Sequence, residues 1–115
     1  MRTHRPLRMG SVIREELAKI FLREMDFRGA LVTITEVIVE KSYVWADVMI
    51  SVLPASRTEA VLDQLTAAHG HLQHLLNKKM NVRPMPQIRF KADRGLENAA
   101  RIEKDLIDEG ISEAG

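Results

Sequence analysis

Residues 57–79, RTEAVLDQLTAAHGHLQHLLNKK, decide the fold of this 115-residue chain. Val61, Leu65 and Ala68 form one apolar stripe at helical spacing, and Leu72, Leu75 and Leu76 form a second beyond Gly70. The stretch therefore reads as two helices meeting at Ala68-His69-Gly70, with the glycine expected to permit a bend or a close approach. Just upstream, Pro54 stops the preceding segment. Ser56-Arg57-Thr58-Glu59 then has the pattern of a capping box, in which Ser56 and Glu59 would engage the first free amides.

Working outward, residues 81–86 (NVRPMP) form a proline-punctuated turn, and residues 87–92 (QIRFKA) alternate as a strand. Ile88, Phe90 and Ala92 are expected to point inward, Arg89 and Lys91 outward. Before the helix pair, Val44, Ala46, Val48, Ile50 and Val52 make every second residue small or β-branched, the mark of a strand with one buried face. Residues 31–39 (LVTITEVIV) are strand-like as well, and Glu40-Lys41-Ser42 links the two as a hairpin. At the start, Met9, Ile13, Leu17, Ile20 and Phe21 recur at helical spacing, giving a helix over about 7–25 opened by Pro6. Leu96, Ala99, Ile102 and Leu106 predict a last helix over about 95–108. Three strands with helices on one face make a two-layer α+β domain over residues 1–108, followed by a short acidic tail at 109–115. The other sheet face should present Trp45, Arg89 and Lys91 to solvent.

Composition narrows the chemistry. The absence of cysteine removes a disulfide framework, a thiolate zinc site and a Cys nucleophile at once. No apolar stretch approaches the roughly 20 residues of a membrane helix, and the basic N-terminus is followed by no apolar signal core, so a cytoplasmic protein is expected. Nucleophile elbow, phosphate-binding loop and dinucleotide fingerprint are all absent, which predicts no enzyme and no cofactor. His69, His71 and His74 lack a carboxylate or thiolate to complete a metal site and read as surface histidines. Glu15 and Glu16, one turn before Lys19, read as ion-pair partners.

The net charge of +1 conceals strong segregation. Residues 1–30 hold seven Arg/Lys against four Asp/Glu, a net +3, and residues 76–101 hold seven against two, a net +5. Residues 31–75 and 102–115 are acidic, at −3 and −4. If folding brings the basic segments together, one face suits a polyanion. On the first helix Arg5, Arg8, Lys19 and Arg23 project within about 60° of one another beside the apolar stripe. Lys78, Lys79 and Arg83 sit at the end of the helix pair, and Arg89 and Lys91 on the last strand. These nine are the candidate RNA-binding residues, with Trp45 placed to stack on a base.

The element order with its bent helix pair is similar to the type II KH-like arrangement. The Gly-x-x-Gly clamp of KH domains occurs nowhere in the chain; Ala68-His69-Gly70 stands in its place. That Ala-x-Gly kink, the strand entry Val32-Thr33-Ile34-Thr35-Glu36-Val37, the strand Ala46–Leu53 and the run Arg83-Pro84-Met85-Pro86-Gln87-Ile88-Arg89-Phe90 together resemble the ribosome-binding factor A family. The resemblance spans about Met9 to Leu106. It implies a non-enzymatic, bacterial factor that binds the free 30S subunit near its neck and decoding region. It also implies support for late assembly and 16S rRNA processing, prominently in the cold. Ala68 and Gly70 would be the structural kink, and 16S rRNA the partner of an expected monomer. The competing readings are a general KH-like RNA-binding or ribosomal protein, and a protein-interaction module using the sheet face.

Overall fold

Helical spacing of Ile13, Leu17, Ile20 and Phe21 becomes α1 (His4–Glu24), whose apolar stripe is buried against the sheet. In this computed structural model the structure describes residues 4–95, with side chains from Arg8 onward. The helix predicted over 95–108, the acidic tail and the Arg5 side chain lie outside the described residues. After α1 come β1 (Leu31–Val39), β2 (Trp45–Leu53), a single 3-10 turn (Ala55–Arg57), α2 (Thr58–Ala67), α3 (His69–Met80) and β3 (Gln87–Ala92).

The sheet runs β1-β2-β3. β1 and β2 are antiparallel, from Leu31 opposite Leu53 to Val39 opposite Ala46. β2 and β3 are parallel, from Trp45 opposite Gln87 to Ile50 opposite Ala92. A parallel pair cannot be joined by a tight turn, and α2 and α3 supply the crossover. All helices lie on the face carrying Ala46, Val48, Ile50, Val52 and Ile88, where Val61, Leu65, Leu72 and Leu76 complete the core. A bulge between Ile34 and Glu36 shifts the phase of β1, so Ile34 and Val37 both face inward although they stand an odd three positions apart.

Two local expectations are corrected. Ser56 and Glu59 form no capping box, since no side chain caps α2. The 3-10 turn leads straight into the helix, with the Arg57 amide donating to the Pro54 carbonyl at 3.0 Å. Thr58 Oγ1 turns back to the Ala55 carbonyl at 2.7 Å, and Glu59 pairs with Arg94 at 2.8 Å. The bend between α2 and α3 falls on Ala68, whose φ of −91° and ψ of 2° leave the helical region. Gly70 is an ordinary residue of α3, and a Cβ there would meet nothing within 4 Å. Gly10 of α1 is sterically constrained: a Cβ there would lie 2.5 Å from the Val37 carbonyl oxygen of β1.

The bend sets α3 against the free edge of β3. In a parallel strand the amide and carbonyl of one residue point to the same side, so Ile88 turns both away from β2. Gln73, only 6% exposed, accepts from the Ile88 amide at 2.8 Å and donates to the Pro86 carbonyl at 3.1 Å. His69 Nε2 donates to the Ile88 carbonyl at 2.7 Å. Two α3 side chains thus serve the edge as a further strand would.

Replacing Gln73 with Leu leaves the buried Ile88 amide without an acceptor and should cost about 1–3 kcal/mol in urea unfolding. Gly10→Ala should lower stability by about 1–3 kcal/mol despite alanine's better helix propensity, because the obstruction is backbone. Gly70→Ala should be neutral or stabilising in the same urea unfolding.

Candidate nucleic-acid interface

The flank of α1 that does not touch the sheet lies beside α3. Between them runs a groove of about 300 Å³ lined by Glu16, Lys19, Ile20, Arg23, Leu75, Lys78 and Lys79. Ile20 and Leu75 form its apolar floor, and the four cations come from segments separated by more than fifty residues of sequence. Glu16 is the single acid, its side chain 12% exposed. Lys19 Nζ lies 3.1 Å from one Glu16 oxygen and Lys79 Nζ 3.9 Å from the other. One carboxylate therefore bridges α1 to α3 and spaces the lysines, leaving the lining at a net +3. Among the described residues Arg23 and Lys78 have no ion-pair partner.

Arg8, also exposed and unpaired among the described residues, sits eleven residues before Lys19. At 100° per residue this places it within about 20° of the same flank, three turns along. Arg83 is exposed on the turn after α3. These positions can present a line of cations to successive phosphates.

The sheet's outer face is different. Arg89 and Lys91 do project from it, but both are engaged. Arg89 Nε donates to Asp47 Oδ1 and its NH2 group lies 3.1 Å from Glu40, while Lys91 Nζ is 2.9 Å from Asp47 Oδ2. Two cations meet two carboxylates, so this cluster is neutral. Burial alone would push the Asp47 carboxyl up; the hydrogen bonds and charges of Arg89 and Lys91 outweigh it and keep the group below the usual carboxylate range. The Asp47 hydrogen bond in turn holds the Arg89 guanidinium above its ordinary value, against partial burial and with help from the Glu40 charge. The same guanidinium stacks 4.5 Å over the Trp45 ring, so the face of that indole is already covered.

The histidines are dispersed in role. His69 serves β3, His71 Nε2 lies 2.8 Å from Glu24 of α1, and His74 is exposed. No group of three His, Asp or Glu side chains able to hold a metal occurs among the described residues, and no helix among them is long and apolar enough to cross a membrane. Sequence reasoning missed the bridging role of Glu16, although its spacing from Lys19 was visible. It also missed Asp47 as the partner of Arg89 and Lys91, which only the β2–β3 register reveals.

Comparison with known proteins gives a consistent result. The family model for ribosome-binding factor A matches residues 5–106. A ribosome-binding factor A of Pseudomonas aeruginosa is 37% identical over 114 residues, covering 92% of this chain and 88% of that protein. The crystal structure of ribosome-binding factor A from Thermus thermophilus superposes with a TM-score of 0.68 at 20% identity, covering 78% of this chain and 97% of that one. A Thermus thermophilus ribosome binding factor A homology model, fitted into the cryo-EM map of a 30S complex, superposes at 0.62 with 23% identity, covering 73% and 90%. The fold is thus the KH-like α+β arrangement of these structures, and the chain belongs to the ribosome-binding factor A family.

Proposed function

We propose that the protein binds the free 30S subunit through phosphates of 16S rRNA, and that the groove between α1 and α3 is its principal contact. The observation that carries this reading is the convergence of Lys19, Arg23, Lys78 and Lys79 on one groove with a single acid among them. Membership of a ribosome-binding family and the 30S complex of the Thermus thermophilus protein support it. Arg8 extends the surface along α1. Arg5, on the same helix flank by sequence, and Arg83, on the turn after α3, are secondary contacts. Arg89 and Lys91 are assigned mainly to holding the sheet face.

No reaction is needed for such a factor to act. A protein that binds one arrangement of rRNA more tightly than another shifts that equilibrium by its differential affinity alone. Acting in the cytoplasm as a monomer, it would support late maturation of the subunit and 16S rRNA processing. The demand for it rises in the cold, where misfolded RNA helices are longer-lived. A second reading, docking of a protein through the outer sheet face, is favoured by one observation, the neutrality of the Arg89–Asp47–Lys91–Glu40 cluster.

Four cations neutralising four phosphates predict that log K for 16S rRNA or 30S subunits falls with log[salt] at a slope of about −3 to −4. A flat dependence in filter binding excludes the phosphate model. Arg23→Glu with Lys78→Glu, two groove cations without an ion-pair partner among the described residues, turns the groove from +3 to about −1 and should weaken co-sedimentation with 30S subunits at least about tenfold while leaving the melting temperature nearly unchanged. Arg89→Glu with Lys91→Glu should do the reverse, lowering stability by leaving Asp47 and Glu40 among like charges and affecting binding less. Asp63→Asn, on the exposed side of α2, is the control and should change neither.

A further inference from the structure

The groove between α1 and α3 has an acid toward each end. Glu16 of α1 lies 3.9 Å from Lys79 of α3, and Glu24 of α1 lies 2.8 Å from Nε2 of His71 of α3. Position 16 meets 79 and position 24 meets 71, so the two helices run antiparallel and both bridges keep one register. Eight residues separate the bridges on each helix, a span of about 12 Å. Within that span Ile20 and Leu75 form the floor, with Lys19, Arg23 and Lys78 around it.

Both carboxylates are set back from the surface that the cations present. The Glu16 side chain is 12% exposed and that of Glu24 32%, against 64% for Lys19 and 63% for Lys79. A phosphate seated on Lys19 and Lys79 at one end of the span therefore has a negative charge behind its partners, and one at the other end meets Glu24. Arg23 and Lys78, without an ion-pair partner among the described residues, stand between the two acids. An RNA backbone that crosses the groove between the bridges reaches both cations without passing over a carboxylate. A backbone that follows the groove from end to end brings phosphates against both. A flexible single strand can follow it in many registers, whereas a folded rRNA can offer one fixed crossing. Discrimination is a difference of affinities, and repelling the wrong placement widens it as well as strengthening the right one does.

We propose that Glu16 and Glu24 are the specificity-determining residues of the groove: they admit an RNA backbone that crosses between them and turn away one that follows its length. This selection rests on the groove being the rRNA contact.

Filter binding of the full chain to 30S subunits and to poly(U), a flexible strand with no fixed path, tests it. Glu16→Gln combined with Glu24→Gln keeps both side-chain shapes and removes both charges. The pair should raise affinity for poly(U) at least about threefold more than affinity for 30S subunits. Glu16→Asp, which keeps the charge, should retain the discrimination of the unmodified protein. A smaller relative gain for poly(U) overturns the proposal, whether both ligands gain alike or neither gains. Should the acids only brace α3 against α1, the glutamines would lower the melting temperature and weaken both ligands together, and that result overturns it too. If the double variant does not fold, Glu24→Gln alone carries the test, because its partner His71 is 58% exposed, and the ratio should still move toward poly(U) by at least about twofold. A flat salt dependence of the unmodified protein removes the phosphate reading of the groove and this selection with it. A steep dependence with an unchanged ratio removes the selection alone.

Discussion

The constraint on which the rest depends is the exposed edge of β3. A strand added in parallel to β2 leaves backbone groups of Ile88 facing away from the sheet, and burying them unpaired would cost more than most single side-chain contacts contribute. Gln73 and His69 meet that need from α3. In doing so they determine where α3 lies, and with it where Lys78 and Lys79 project. The bridging Glu16 ties the far side of α3 to α1. A buried amide near the sheet and a half-covered carboxylate at the surface therefore position the same helix from two sides, and the basic groove is the space left between.

Charge is organised by geometry rather than by amount. The sheet face holds two cations and the helical groove four, yet the first is neutral and the second carries a net +3. What separates them is acids: Asp47 faces Arg89 directly across the β2–β3 pairing, with Lys91 two residues along. The groove has Glu16 alone. Long-range attraction for a polyanion follows the unbalanced side, so the molecule presents one attractive surface and approaches RNA in a preferred orientation.

Much of this was legible in the sequence. The alternation from Ala46 to Val52, the stripe of α1 and the two apolar stripes around Ala68 each follow a period that one element type alone satisfies, and they gave the correct order of elements. The segmental charge was legible too, because Lys19 and Lys78 carry the same sign wherever they sit. What stayed hidden depends on partners far along the chain. Gln73 looks like a solvent-facing break in an apolar stripe until β3 is placed beside it. Gly10 looks like a weak point in a helix until the Val37 carbonyl is found against it, while Gly70, which looked like the hinge, is free of contact. Ser56 and Glu59 match a local motif, but the 3-10 turn that precedes α2 displaces it.

Chain connectivity gives these contacts unequal costs. The hairpin closes between Val39 and Ala46 after a short loop, whereas Trp45 and Gln87 must meet across roughly 40 residues. Loop-closure entropy makes the second event costlier by about 1.6 kcal/mol. Lys78 and Lys79 reach the first helix only after that long closure, because their helix rides on β3. Loosening of α3 from its neighbours would scatter the four cations even while the hairpin is still paired. Recognition of a polyanion is a property of the intact tertiary structure, and a partly folded chain would carry the same charges without the same grip.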